Sequence, residues 1–493
     1  MAAIITERFR IHNAKQFKED FGESASSTYV FIGRPQAWTD ENSPPSPANS
    51  VGIEVDSWSD MIALKEVVNE NVSHGITRYN WTTGTTYDEY AHDYSASNQT
   101  PATSQSSLYD GRFVVITDEY HVYKCIRTGR DSDGNVVVSD VKPTGTSATA
   151  LISTADSNAA SGRGYIWKYM YTISASETIK FVTNDFIPVK TLGAQTEVNG
   201  EGTTQGAGGF GSVAGDDGSG QWDVESNAVD GAIYHVRVDN GGSGYTDNTY
   251  TGVAIDGDGS SAEVTVVVAS GAVSYITVTT NGTGYKRASI DIDGINGIGG
   301  NGDAVVTPII SPILGHGADP ILELGGNYVI VNARLEFAEG SGDFPTDNDF
   351  RRIGLIQDPF TVGTTTVATD TTLHACHRMT LSSVADVSVD DIILNASSDG
   401  SGVAVSRVVS IDTSTRVVSH IPVANSDGGY ANFASAENVY VSGNPTSVAT
   451  VSSVDASFPE VEKYSGQIMY VENRGAVSRA ADQIEDIKLI IEM

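Results

Sequence analysis

The chain has 493 residues, with 62 acidic against 29 basic side chains and a formal net charge of −33 at pH 7. Binding to phosphate backbones and to anionic membrane surfaces depends on Lys and Arg, so this charge argues against nucleic acid and membranes as partners. The chain is longer than one hydrophobic core usually organises, so we expect roughly two to four structural units.

The two cysteines, Cys125 and Cys376, cannot form a disulfide framework, which is consistent with folding in a reducing cytosol. The first 20 residues contain no apolar stretch of signal-peptide length, and no run of about 18 apolar residues occurs anywhere. We therefore expect no membrane-spanning segment, and release from a cell by a route such as lysis.

The first 195 residues are rich in predicted strands. Residues 14–21 are a candidate short helix, and a second helix is predicted over 58–69 from the spacing of Met61, Leu64, Val67 and Val68. Aromatic and β-branched residues predict strands over 28–33, 112–127 and 165–173.

The composition changes near residue 196, because residues 196–318 contain 26 of the 51 glycines. Within this stretch the segment 236–245 recurs as 276–285, at an offset of 40 residues, and each copy is a strand followed by a glycine turn and a tyrosine. Two copies are too few for a solenoid, so we interpret the stretch as a duplicated β-hairpin module.

A second change in texture begins at residue 361, after a strongly predicted strand over 328–337. Residues 361–455 are rich in Ser, Thr and Val, contain no Lys, and show short strands separated by Asp, Gly and Ser turns, a pattern typical of a small barrel or sandwich. Residues 456–493 end on a predicted strand at 487–491. The prediction is a mainly β, multi-domain fold with a sandwich- or barrel-like core, few short helices and two inserted β modules. The core comprises 1–195, 319–360 and 456–493, and the inserts are 196–318 and 361–455.

Three Asp-x-Asp-Gly segments raise the possibility of calcium loops. A helix-loop-helix calcium site needs a carboxylate at loop position 12, and this position is Lys142, Val267 or Gly302 when counted from Asp131, Asp256 or Asp291. Asp-Gly pairs are also common hairpin turns, so we predict turns and no metal.

Other catalytic and cofactor signatures fail in the same way. No phosphate-binding loop with Gly-Lys-Ser/Thr and no Gly-x-Ser-x-Gly motif occurs, and the loose glycine cluster at 206–211 lacks a preceding strand and a following helix. His374, Cys376 and His377 are the one His/Cys cluster, but neighbouring strand residues face opposite sides and no second cluster completes a zinc site. We predict no enzymatic activity and no cofactor, although the abundance of carboxylates leaves glycoside hydrolysis open.

Short strings near both ends of the chain carry a family resemblance. They include Phe31 to Arg34 with Trp38, residues 122–125, 164–169 and 183–189, and later 349–356, 464–474 and 482–487. In their order and in the matching chain end, they resemble the baseplate wedge (gene product eight) family of T-even-type contractile-tailed phages. The resemblance covers about 1–195, 319–360 and 456–493, so it lapses where composition places the inserts.

The resemblance implies a structural protein of the virion tail baseplate that is assembled in the host cytoplasm, forms a homodimer and joins other baseplate wedge proteins. Arg34 and Trp38 are candidate structural or interface residues because they lie in these strings. Tyr470, Glu472 and Arg474 are further candidates, since a period of two places them on one face of a strand. The alternative is an ordinary intrachain surface pair between Glu472 and Arg474.

Two other functions compete with this interpretation. Exposed tyrosines in the glycine-rich repeat would suit stacking against sugars, as in a receptor- or glycan-binding tail adhesin. A depolymerase would require a pair of carboxylates in a groove.

Overall fold

The computed structural model describes residues 4–23, 25–193, 220–336, 344–480 and 483–493. The glycine cluster at 206–211 and the end of the strand predicted over 328–337 lie outside these residues. The chain forms two units, each built from separated stretches of sequence. Unit 1 comprises Met1–Phe17, Ser73–Ile330 and Ile490–Met493, and unit 2 comprises Lys18–Val72 and Val331–Leu489.

Strands far outnumber helices among the described residues, which confirms the predicted mainly β fold. The α-helices are α1 (Glu7–Asp20), α2 (Val51–Ser59), α3 (Ala175–Phe181), α4 (Gln221–Ser226) and α5 (Pro320–Leu324), and single 3-10 turns lie at Asn69–Asn71 and Leu108–Asp110. The first strands are β1 (Thr28–Gly33), β2 (Met61–Glu66), β3 (Val72–Thr77), β4 (Val114–Ile116), β5 (His121–Arg127), β6 (Ile152–Ser153), β7 (Ile166–Thr172), β8 (Phe186–Val189), β9 (Ile233–Asn240), β10 (Asn248–Ala254), β11 (Asp256–Gly257), β12 (Ser260–Ala269) and β13 (Ala272–Thr283). The remaining strands are β14 (Ala288–Ser289), β15 (Val305–Ile310), β16 (Tyr328–Leu335), β17 (Asn348–Gln357), β18 (Thr372–His374), β19 (His377–Leu381), β20 (Ile392–Leu394), β21 (Val405–Asp412), β22 (Val417–Val423), β23 (Asn438–Val441), β24 (Ala449–Asp455), β25 (Gln467–Arg479) and β26 (Glu485–Glu492).

Unit 1 contains a four-stranded sheet in the order β4-β5-β7-β6. The strand predicted over 112–127 is two strands, because the chain reverses between β4 and β5 with Tyr120 in the left-handed region at φ 61°. Aromatic side chains of β5 and β7 pack into one core, with Tyr165 stacked on Trp167 at 5.5 Å between ring centroids. Cys125 is fully buried in this core, as expected of an apolar thiol.

The glycine-rich part of unit 1 contains a repeat module (231–310) in which the two copies exchange strands. β9 belongs to the first copy of the repeat and pairs with β15, which follows the second copy. In the same way, β13 belongs to the second copy and pairs with β12, which follows the first copy. Equivalent backbone bonds repeat at the offset of 40: the Tyr245 amide donates to Gly271 and the Tyr285 amide to Gly231, at 3.0 and 3.2 Å. The copies are therefore interlocked about an approximate twofold axis.

Two equivalent glycines allow this close approach. Gly242 and Gly282 have φ angles of 68° and 62°, which side-chain-bearing residues rarely adopt. A Cβ on Gly282 would lie 2.7 Å from the Cβ and the amide nitrogen of Ala262, so the turn has no room for a side chain.

Unit 2 contains a five-stranded sheet in the order β18-β2-β1-β17-β25. The helix predicted over 58–69 is wrong: α2 ends at Ser59, and Met61–Glu66 is strand β2. Met61, Ile62, Ala63 and Leu64 are all buried because β2 lies inside the sheet with both of its faces covered. A strand covered on both faces loses its alternation of apolar and polar residues, so its apolar run was mistaken for helical spacing.

The second half of unit 2 includes a closed six-stranded barrel (377–455) in the order β19-β22-β21-β20-β23-β24. Its core is separate and mainly aliphatic, with Leu381, Ile393 and Val408 fully buried. β18 precedes the barrel and pairs with β2 of the five-stranded sheet, and Leu373 and Ala375 pack in that sheet's core. The barrel strands thus begin at His377, later than the predicted boundary at 361, and the domain boundaries stay predictions.

Candidate interface site

The predicted interface residues of the last segment lie on β25, an edge strand that pairs with β17 along its length. The Tyr470 hydroxyl donates to Oε2 of Glu472 at 3.0 Å, and Nε of Arg474 lies 2.7 Å from Oε1 of Glu472. Burial, followed by the charge of Glu472, raises the pKa of Tyr470 to about 12, so its hydroxyl stays protonated and can donate this bond. Glu472 therefore has two partners on its own strand.

Arg34 and Trp38 join the same cluster from a distant part of the sequence. Arg34 follows β1 in the left-handed region at φ 57°, and its guanidinium carbon lies 3.6 Å from the centroid of the Trp38 ring. The indole Nε1 of Trp38 donates to the backbone oxygen of Arg474 at 2.7 Å. The structure thus brings all five candidate residues into one connected cluster, and their part in an interface between chains stays a prediction.

Glu41 fixes the loop that carries Trp38 to the edge of the sheet. Its carboxylate accepts bonds from Nε of Arg351 at 2.7 Å and from the backbone amides of Trp38 and Ala476, both at 3.0 Å. Desolvation opposes ionisation, but these bonds lower the pKa of Glu41 below its ordinary value. The loop is consequently held by an ionised carboxylate.

Arg352 is almost completely buried and connects three segments. Its Nη1 lies 3.2 Å from both carboxylate oxygens of Asp60, and its Nε donates to Oδ1 of Asn473 at 3.1 Å. Asn473 in turn donates to the backbone oxygen of Pro45 at 2.8 Å. Burial raises the pKa of Asp60 to about 6, although Arg352 and Arg34 oppose this shift.

The cluster covers part of the sheet edge formed by β25. β25 shows register irregularities opposite Phe350 to Arg352 and opposite Leu355 to Ile356, and Trp38 and Glu41 bind backbone groups of Arg474 and Ala476. Bulges and covering side chains are devices that stop an edge strand from pairing indiscriminately. We call this arrangement of Trp38, Glu41 and Arg352 with their partners on β25 the braced corner.

The three calcium-like segments form turns or part of a strand in the structure. The Asp131 carboxylate accepts the amides of Asp133 and Asn135 within its own turn, Asp291 accepts the amide of Gly294, and Asp256 lies in β11. In the described ranges, no group of three or more His, Cys, Asp or Glu side chains has the geometry of a metal site.

The members of the His/Cys cluster have separate environments. The Cys376 thiol is buried and lies 3.5 Å from the backbone oxygen of Ile62, while His377 stacks on His420 at 5.7 Å between ring centroids. Burial lowers the pKa of His377 to about 4, so the ring is neutral near pH 7.

The repeat tyrosines, which supported a glycan-binding function, are not exposed. Tyr245 and Tyr285 are 4% and 1% exposed. Their hydroxyls accept the backbone amides of Ala304 and Ala262 at 3.1 and 3.3 Å, each across to the other half of the interlocked module. The rings stabilise the module and are unavailable for stacking against sugars.

Sequence reasoning missed two buried charged networks of unit 1. Lys124 is completely buried, with Nζ 2.5 Å from Oε1 of Glu323, 2.9 Å from Nδ1 of His316 and 3.7 Å from the Tyr90 ring centroid. In the second, the buried Glu89 accepts the Thr128 amide at 2.9 Å and lies 3.3 Å from Arg130 and 3.8 Å from His235. A charged residue inside an apolar strand, such as Lys124 in β5, is the signal that could have revealed the first network.

Residues 3–195 match the family model described as Bacteriophage T4, Gp8. The resemblance is confirmed for this part of the chain. The chain is also 26% identical over 210 residues to baseplate wedge protein gp8 of Enterobacteria phage T4, a match that spans 38% of this chain and 60% of the T4 protein. Arg34 and Trp38 lie inside the family match, whereas Tyr470, Glu472 and Arg474 lie outside the matched residues 3–195.

Across the part of the chain that the structure describes, no helix combines the length and the apolar character needed to span a membrane.

Proposed function

We propose that this protein is a non-enzymatic structural subunit of a baseplate wedge in a contractile phage tail, where it connects neighbouring wedge subunits of the hexagonal baseplate. The observation that carries the proposal is the match of residues 3–195 to the Gp8 family. The protein would be assembled into the tail baseplate of the virion in the host cytoplasm, without a cofactor.

The geometry supports a structural role. A connector must transmit force without local unfolding, and buried, fully partnered charges such as Lys124 with Glu323 specify one arrangement of the surrounding strands. The braced corner around Trp38 and Arg352 fixes a long edge strand in unit 2 in the same way.

The function can be tested with a phage that carries a nonsense codon in this gene. On a non-suppressing host we expect particles without complete baseplates, and plasmid-borne protein should restore them. If complete baseplates form and only adsorption to the host is lost, the protein is an adhesin and the proposal fails.

The adhesin alternative depended on exposed tyrosines in the repeat, but Tyr245 and Tyr285 are buried. The proposal also excludes turnover of host polysaccharides. Release of reducing ends from such polysaccharides by the purified protein would contradict it.

The partners that we propose are a second copy of the chain and other wedge proteins. Light scattering of the purified protein should give the mass of a dimer at micromolar concentration, and a monomer would count against the homodimer alone. If the cluster around Trp38 is part of this contact, the Arg474→Ala variant should weaken the dimer. Arg407→Ala, which removes an arginine from the barrel, should not.

A further inference from the structure

Helix α2 of unit 2 packs very little of its surface against its own chain. Of its nine residues only Ser57 and Trp58 are buried. Val51 and Val55 are 74% and 45% exposed. This is unusual for two apolar residues four positions apart, which lie on the same face of a helix.

The sequence of α2 also gives little intrinsic helical stability. It contains Gly52 and the β-branched residues Val51, Ile53 and Val55, and Ser50 at the N-cap makes no side-chain capping bond. An isolated helix of this length is marginal in water, and such helices are stabilised by packing an apolar face. That face is exposed here.

The exposed apolar surface continues beyond the helix. Tyr464 is 61% exposed, its hydroxyl lies 3.4 Å from Oγ of Ser59, and its ring centroid is 6.5 Å from that of Trp58. Val51, Val55 and Tyr464 form the docking stripe. Several exposed apolar side chains on neighbouring elements are typical of sites of protein association.

The charge around the stripe restricts what can cover it. Residues 35–64 contain five acidic residues and no Lys or Arg. Glu41 and Asp60 have arginine partners within unit 2, whereas Glu54 and Asp56 are exposed on α2 itself. A second copy of the same face would place these acids opposite one another, so the charge favours a partner of opposite sign.

We propose that the docking stripe binds a basic amphipathic segment of another protein, with aliphatic side chains against Val51 and Val55 and Lys or Arg near Glu54. The inference deepens the proposed structural function, and rests on it, by specifying the chemistry of one wedge partner. It is separate from the contact proposed around Trp38 and Arg474.

The test uses the full-length protein and a fluorescent synthetic amphipathic helix of leucine and lysine as the probe. Binding should slow amide exchange in residues 51–59, and the Val51→Ser/Val55→Ser variant should bind on the order of tenfold more weakly. Ile179→Ser is the matched control, because Ile179 is 60% exposed on α3 of unit 1. Its affinity should be unchanged.

The charge contribution is tested by Glu54→Gln/Asp56→Asn, which should weaken binding and reduce its dependence on salt. Equal binding by the valine variant, an equal loss in Ile179→Ser, or no protection of 51–59 would overturn the proposal. So would a change of oligomeric state in the valine variant, because the occupant would then be a second copy. Tail assembly does not enter this measurement, so its outcome is distinguishable from failure of the proposed function.

Discussion

The repeat module and the barrel both consist of short strands in sequence rich in small and β-branched residues, and each begins and ends on neighbouring strands. Ile233 pairs with Ile310 at the ends of the module, and Arg378 pairs with Asp455 at the ends of the barrel. By composition and by the closeness of their ends, both have the character of insertions that a fold tolerates. They differ in how each is attached to the rest of its own unit.

Charged side chains attach the repeat module to the rest of unit 1. Arg237 on β9 forms two bonds with the Asp93 carboxylate, at 3.0 and 2.7 Å, and His235 on the same strand lies 3.8 Å from the buried Glu89. From the other side, the Arg163 guanidinium lies 4.6 Å from the centroid of the Tyr275 ring.

Contacts at the points where its chain enters and leaves attach the barrel to the rest of unit 2. Arg378 lies 3.3 Å from His374 and 3.8 Å from the Phe458 ring centroid, and both partners flank the barrel in sequence. Composition marks both stretches as modules, whereas we expect separability to depend on charged residues on their strands that need partners elsewhere.

We expect the largest effect from deleting the repeat module or the barrel and comparing the two variants. Replacing 233–310 by a short Gly/Ser linker should give an aggregated or unfolded protein, because Glu89 and Asp93 lose partners. Replacing 378–455 should leave a soluble protein with folded sheets, since loop closure is inexpensive and the barrel has its own core. Size-exclusion chromatography and circular dichroism measure both outcomes, and a soluble first variant or an aggregated second one would contradict the comparison.

The next prediction concerns Glu89, one of the residues that attach the repeat module to the rest of unit 1. Glu89→Gln keeps the shape of the side chain but leaves Arg130 and the Thr128 amide without a carboxylate, so we expect a loss of about 2 kcal/mol in the free energy of unfolding. Lys286→Ala, which breaks the exposed pair with Asp230, should change stability by less than about 1 kcal/mol. Chemical denaturation followed by circular dichroism compares them, and equal effects would show that the buried attachment is not special.

The same carboxylate predicts a dependence on pH. Burial opposes its ionisation, but His235, Arg130 and the Thr128 amide lower the pKa of Glu89 from 4.5 to about 2. Because the pKa is lower in the folded state, the carboxylate contributes stability above pH 4.5, and this contribution is lost as the pH falls towards 2. Stability measured against pH should therefore fall less steeply in this window for Glu89→Gln than for the unmodified protein.

The smallest effect concerns the interlocked repeats. Tyr285→Phe removes a hydroxyl that donates to the backbone oxygen of Ile255 at 3.1 Å and accepts the amide of Ala262, so it should cost about 1 kcal/mol. Tyr430→Phe in the barrel, where Tyr430 is 66% exposed, should have no measurable effect. If Tyr285→Phe leaves the free energy of unfolding unchanged, the hydroxyl does not stabilise the interlocked copies. This result would not test the contribution of the ring.

The strand content of the protein could be predicted from sequence because β-branched and aromatic runs and glycine turns are local signals. β1, for example, has the predicted bounds Thr28–Gly33. β2 was mistaken for helix because burial on both faces removed its alternation. Local patterns do not report which faces a sheet will cover.

The candidate site was partly accessible to sequence reasoning. The period of two placed Tyr470, Glu472 and Arg474 together, and the structure adds Arg34 and Trp38 from more than four hundred residues away in the chain. The burial of Tyr285 could not be predicted, since its partners Ile255 and Ala262 are brought to it by the exchange of strands between copies.

The most direct test of the structural function is electron cryo-microscopy of the assembled tail. We expect density for the described sheets and the six-stranded barrel within the baseplate, with the docking stripe on α2 covered by a different chain. Density for this protein only at receptor-binding fibres, or none in the tail, would contradict the claim that it is a structural baseplate subunit.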